Sequence, residues 1–252
     1  MGGSFGLKVV FHERFKEVYT SDPAAAPGRM EAILSALEGV YEFVEPAPAS
    51  DEDVLLVHTP SHLNYVKSLQ RIYPIAILAV GGAIKAVELA LASEPSFALI
   101  RPPGHHASPG SCWGFCYFNN IAIAVERVLR RKEIRRVVIV DFDLHFGDGT
   151  AEAFKGRGDV EYRHLPARDY VADLERFLEA RDYDLIAVSA GFDRALEDWG
   201  GLMRREDYVE VGRVLKEMSL AKCGGRRFAV LEGGYNHEVL GGYVRAFLEG
   251  FA

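Results

Sequence analysis

The chain has 252 residues, 49% of them hydrophobic and 26% charged, which is enough apolar sequence to bury one core without covalent staples. Twenty-nine basic against thirty-six acidic residues give a net charge of -7, and no Lys/Arg run exceeds the short Arg130, Arg131, Lys132 cluster, so direct nucleic-acid binding is not expected. Three cysteines (Cys112, Cys116, Cys223) are too few and too oddly counted for a disulfide framework, and a reducing cytoplasmic setting is the simpler reading.

Short apolar runs alternate with segments of helical period from one end to the other. In chain order, strands are expected at Leu7 to Phe11, Val54 to Val57, Phe97 to Ile100, Val137 to Val140, Leu185 to Val188 and Phe228 to Leu231. Helices are expected at about 29–38, 61–72, 76–92, 119–132, 170–181, 206–222 and 237–250. Apolar runs without alternation suit strands buried on both faces, and the helices between them supply the crossovers that parallel strands need. The fold class is therefore α/β, one domain over 1–252 with a mostly parallel sheet flanked by helices. Glu45 to Asp53 reads as a plain surface loop. No window reaches the roughly 18 apolar residues of a spanning helix, and the amino terminus lacks a leader pattern, so no membrane association is expected.

The residues just beyond four of those strands are more informative. Phe97 to Ile100 runs into Arg101-Pro102-Pro103-Gly104-His105-His106; Val137 to Val140 into Asp141-Phe142-Asp143-Leu144-His145; Leu185 to Val188 into Ser189-Ala190-Gly191-Phe192-Asp193; and Phe228 to Leu231 into Glu232-Gly233-Gly234-Tyr235. In an open parallel sheet the carboxyl ends of the strands lie on one edge, where such folds bind ligands. Asp143 and His145, two apart, point the same way in extended chain. With Asp193 they make one nitrogen and two carboxylate ligands and leave a position open for water, as catalytic zinc sites do; iron(II), cobalt or manganese would accept the same set. Asp141, in the same alternation, is placed to orient a ligand or a catalytic histidine from behind. One of His105 and His106 is suited to take a proton from an activated water. The Tyr235 hydroxyl is suited to brace a carbonyl oxygen. Asn119 or Asn120 caps the helix after Gly114-Phe115-Cys116-Tyr117-Phe118, whose aromatics serve either as core or as the lining of a narrow channel. His12, His58, His62, His164 and His237 read as structural or exposed.

These segments, RPPGHHA at 101–107, GFCYFNNIAIA at 114–124, DFDLHFGDGT at 141–150, SAGFD at 189–193 and LEGGY at 231–235, resemble in this order the histone deacetylase family in its broad sense. That family includes bacterial and archaeal deacetylase-like proteins and acetylpolyamine amidohydrolases, and LEGGY is closer to its class II and polyamine branches. Weaker similarity at Pro27-Gly28-Arg29-Met30 and Val57-His58-Thr59 extends the resemblance over nearly the whole chain. It implies the arginase/deacetylase fold and zinc-dependent hydrolysis of an N-acetyl or other acyl amide on a lysine, polyamine or related amine. By resemblance Asp143, His145 and Asp193 are the zinc ligands, with Fe2+ or Co2+ as alternatives, and His105, His106 and Tyr235 are catalytic. Asp141 and Asp148 buttress the two histidines, Phe115 with Gly114 walls the acyl-lysine channel, and a structural K+ is implied near the Asp-x-Asp-x-His strand.

Three departures stand out. Phe146 replaces a usual second histidine. Segment 150–183 is short and lacks the expected strand and glycine-rich loop. Segment 68–79 is short enough to lose the place of a rim aspartate, so a shallower, more open site is expected. Two other readings are an acyl-ligand binding protein that keeps the fold with little catalysis, and a two-metal ureohydrolase, against which His105/His106 and Tyr235 argue.

Overall fold

The computed structural model describes residues 6–252. The chain begins with strand β1 (Lys8–Val10), two single-turn 3-10 helices, helix α1 (Arg29–Leu37) and strand β2 (Glu42–Val44). Helices α2 (Asp51–Val54), α3 (Pro60–Ser68) and α4 (Tyr73–Leu91) lead to β3 (Ser96–Ala98) and, after a long motif-bearing loop, α5 (Asn120–Arg130). The second half runs β4 (Val137–Asp141), α6 (Asp148–Ala153), β5 (Val160–His164), α7 (Tyr170–Glu179), β6 (Leu185–Ala190), α8 (Arg205–Cys223), β7 (Arg227–Leu231) and α9 (His237–Phe251). The seven strands form one sheet in the order β2-β1-β3-β7-β6-β4-β5, and every pairing is parallel.

The expected fold class holds, and its cause is visible in the burial. Every residue of β3, β4, β6 and β7 is buried, as unbroken apolar runs require when helices cover both faces. The seven expected helices are present within a few residues. Asn119 caps α5, its side-chain oxygen accepting from the Ala122 amide at 3.1 Å, and Thr59 caps α3 through the His62 amide at 3.2 Å.

Four expectations need correction. Val54 to Val57 is not a strand: Val54 ends α2, a single turn closed by reciprocal Ser50–Asp53 capping, so local capping prevails over a short apolar run. Glu45 to Asp53 accordingly ends in a helix rather than being loop throughout. Segment 150–183 does contain a strand, β5, which lies at one edge of the sheet as β2 lies at the other. Both are partly solvated and carry polar residues, so neither announces itself by composition. Finally, α4 is long and apolar enough to cross a membrane by length and composition, contrary to the expectation from sequence, but 78% of its apolar window is buried inside the fold. It is a core helix.

Candidate active site

The four strands that carry the motifs are contiguous, in the order β3-β7-β6-β4. Their carboxyl ends are thus separated by three spacings of about 4.8 Å each, which is why segments more than a hundred residues apart in sequence meet. Alternation then sets the side chains. Phe142, between Asp141 and Asp143, and Phe192, before Asp193, are fully buried and meet edge to face with ring centroids 5.8 Å apart. Phe247 of α9 and Tyr208 of α8 complete the cluster. Truncating such a ring costs about 3–5 kcal/mol, so the neighbouring aspartates stand on fixed backbone.

Asp143, His145 and Asp193 converge, each offering a ligand atom, with all three atoms within 4.8 Å of one another. His145 Nδ1 lies 3.3 Å from Asp143 Oδ1 and 3.1 Å from Asp193 Oδ2. Asp143 Oδ2 accepts from the Gly233 amide at 2.8 Å, and Asp193 Oδ1 from the Leu144 amide at 3.0 Å. Asp193 Oδ2, however, is buried without a hydrogen-bond partner. A buried, unpaired carboxylate oxygen is costly unless a cation meets it. Burial, with the Asp143 charge, pushes the Asp193 carboxyl up to about 6, and the contact with Asp143, together with the nearby Asp193 carboxylate, pushes His145 up to about 10. Burial opposes the charge on Asp143, but His105 and the His145 contacts outweigh it and hold the group below the usual carboxylate range. The donor set, one imidazole and two carboxylates with an orphaned oxygen, fits a divalent ion. A side chain at residue 233 would not fit: a Cβ there would stand 2.6 Å from Asp143 Oδ2.

His105 and His106 stand side by side, ring centroids 4.1 Å apart. His105 Nδ1 lies 3.0 Å from Asp141 Oδ2, and His106 Nδ1 lies 2.6 Å from Asp148 Oδ1, the two pairings the resemblance implies. For His106 the carboxylate fixes the tautomer that leaves Nε2 free. Burial, and then the His105 charge, lower the pKa of His106. For His105 burial acts downward, but Asp143, Asp141 and Glu232 outweigh it and raise the group well above the ordinary value.

The pocket above these groups has a volume of about 130 Å³ and is lined by the His pair, His145, Pro103, Trp113, Gly114, Phe115, Trp199, Gly233 and Tyr235. Gly114 and Phe115 both have positive φ, 59° and 66°, a turn that glycine enters without steric cost. Aromatic rings succeed one another around the mouth. Trp113 lies on His106 at 4.0 Å, His145 meets Trp199 edge-on at 6.2 Å, Trp199 stacks on Tyr235 at 4.1 Å, and Tyr235 meets Phe115 at 6.1 Å. Burial pushes the Tyr235 phenol far up, so it remains a proton donor, and the Asp198 carboxylate anchors its backbone amide at 2.7 Å.

Several participants escape a reading of the sequence. Tyr162 donates to Asp141 Oδ2 at 2.8 Å and accepts from the Gly147 amide at 2.9 Å; its signal is the Val160, Tyr162, His164 alternation of β5. Glu232, inside LEGGY, accepts from the amides of Gly104 and His105 and from Ser189 Oγ, tying β7 to the His105 turn. Trp113 and Trp199, each half-exposed, flank glycine turns. Phe146, also exposed, sets its ring edge against Tyr162 and His164. A second group of potential ligands, His105, Cys116 and Glu232, is explained by the hydrogen bonds to Glu232 and by the pairing of His105 with Asp141.

Residues 69–170 match the histone deacetylase domain. The chain is 32% identical to a probable deacetylase of Methanothermobacter thermautotrophicus, over 88% of this chain and 84% of that one. It is 28% identical to the polyamine deacetylase HDAC10 of Mus musculus, over 93% of this chain and 46% of that longer protein. The crystal structure of the HDA15 HD domain superposes with a TM-score of 0.87 at 25% identity, covering 99% of this chain and 91% of the other. The chain belongs to the histone deacetylase family, a hydrolase with the arginase/deacetylase fold.

Proposed function

We propose that the chain hydrolyses the amide of a small acylated amine or of acetyl-lysine, with one divalent ion held by Asp143, His145 and Asp193. Zinc is the first candidate, and iron(II) or cobalt suit the same ligands. The observation that carries the reading is the orphaned Asp193 Oδ2 beside His145 Nδ1 and Asp143, beneath a pocket lined by a histidine pair and a tyrosine. Such an ion supplies Lewis-acid polarisation of an acyl carbonyl and lowers the pKa of water.

The chain's own residues supply the rest. His106, held by Asp148 and lowered in pKa, takes the proton of the attacking water at Nε2 and returns it to the departing amine nitrogen; such proton transfer contributes about 10² to 10⁴ in rate. His105, held by Asp141, keeps a positive edge beside the reacting centre. Tyr235 donates its hydroxyl proton to the acyl oxygen as charge develops there. The rings of Trp113, Phe115 and Trp199 flank the aliphatic part of the amine and keep water out of the pocket.

The test is acetate release from acetyl-lysine peptides and acetylpolyamines after supply of divalent metal. Turnover on at least one of these, lost in Asp143→Ala, is the expected result. No turnover on any acylated amine, or equal turnover in the variant, overturns the reading.

A further inference from the structure

Behind the Asp141–His145 segment, on the side away from the pocket, lies a second charge. Arg194, 2% exposed, donates from Nε to the Asp143 carbonyl at 2.9 Å, from Nη1 to the Pro166 carbonyl at 2.8 Å and from Nη2 to the Leu165 carbonyl at 2.6 Å. Among the described residues no carboxylate hydrogen-bonds or ion-pairs with it, although it feels the charges of Asp141, Asp143 and Asp193. Its other polar neighbour is His164 Nε2, 3.0 Å from Nη2; a guanidinium is permanently charged and strongly solvated, so burial without a carboxylate partner needs a compensating field. Three carboxylates supply it.

The family resemblance implies a potassium ion at this segment, and the oxygens here do not fit one. The Asp143 carbonyl has Arg194 Nε and His164 Nε2, both at 2.9 Å, against it. The Asp141 carbonyl accepts from the Leu165 amide at 2.9 Å. Asp141 Oδ1 accepts from the Asp143 amide, and Oδ2 faces His105 and Tyr162. Leu165 and Pro166 give their carbonyls to Arg194.

We infer that the Arg194 guanidinium is a built-in monovalent cation, a positioning residue that holds the Asp143 backbone and makes an external potassium ion unnecessary. Its planar fork spreads the donors over three nitrogens, Nε, Nη1 and Nη2, each on a different carbonyl, whereas a lysine would have to reach all three from one nitrogen.

Two measurements test this on the whole chain. In the first, which does not depend on the proposed activity, potassium chloride is replaced by choline chloride at equal ionic strength while the melting temperature is followed, and thallium(I) serves as a spectroscopic probe of a potassium site. An unchanged melting temperature and no saturable thallium(I) binding are expected; saturable binding of either ion with a rise in melting temperature overturns the inference. In the second, Arg194→Ala and Arg194→Lys are assayed with and without guanidinium chloride. Turnover about 10- to 100-fold lower, as for loss of a support to metal-ligating residues, with partial rescue of Arg194→Ala by guanidinium, is expected. Wild-type turnover and melting temperature in Arg194→Ala contradict it. Failure of the proposed activity itself would leave the thallium(I) result standing, so the two readings fail separately.

Discussion

The two sides of the Asp141–His145 segment are built on opposite rules. On the pocket side, Asp193 Oδ2 is buried without a hydrogen bond, and two carboxylates crowd one imidazole. On the far side the polar atoms are saturated: Asp141 meets His105, Tyr162 and the Asp143 amide, while Arg194 spans three carbonyls. The front stores an unmet demand for positive charge, and the back is a rigid frame that keeps the demand in place. Precise catalytic geometry generally needs both, since a site with loose supports loses its alignment.

Substitutions on each side separate demand from support. Tyr235→Phe removes the donor that faces the pocket and leaves the ring stacked on Trp199; we expect turnover to fall about 10²- to 10³-fold with an unchanged melting temperature. A loss below tenfold would mean that the hydroxyl is a bystander. Tyr162→Phe breaks one bond to Asp141 in the frame, and turnover should fall about 10- to 100-fold with full folding retained. An effect as large as that of Tyr235→Phe would place Tyr162 in the chemistry rather than behind it.

The smallest effect on activity should come from His58, away from both faces. Its Nδ1 donates to the Ser108 carbonyl at 3.0 Å and its Nε2 accepts from the Asn119 amide at 2.9 Å, a pattern that only the neutral ring satisfies. Burial, and then the neighbouring His62, push its pKa from 6.5 down to about 3. Because the folded value is the depressed one, the unfolded chain takes up the proton first. The contribution to stability is complete above pH 6.5 and is lost as pH falls toward 3. Melting temperature against pH should therefore decline less steeply between 6.5 and 3 in His58→Gln than in the parent, and parallel curves would exclude this role.

The sequence discloses the two sides unequally. The central strands β3, β4, β6 and β7 are apolar throughout because both their faces are covered, and the residues just beyond them are titratable because they face a pocket. Asp143, His145, Asp193, His105, His106 and Tyr235 are legible for that reason. The frame is not. Tyr162 sits on an edge strand whose mixed composition hides it, Glu232 looks like part of a glycine turn, and Arg194 looks like one more surface charge after Asp193. Their roles depend on strand order, which places β5 beside β4 and β7 between β3 and β6, and no local pattern encodes that order. Val54 to Val57 fails in the opposite way, an apolar run with no strand beside it to pair with. The tryptophans at the pocket mouth escape notice because glycine turns with an aromatic plug are common, whereas here Trp113 and Trp199 stack on the residues below them.

Elemental analysis of the purified, metal-replete protein tests the central claim most directly. One divalent ion per chain, absent from Asp193→Ala, is the result that the orphaned Asp193 oxygen predicts. No divalent ion in the parent protein, two ions per chain, or a content unaffected by Asp193→Ala would contradict it.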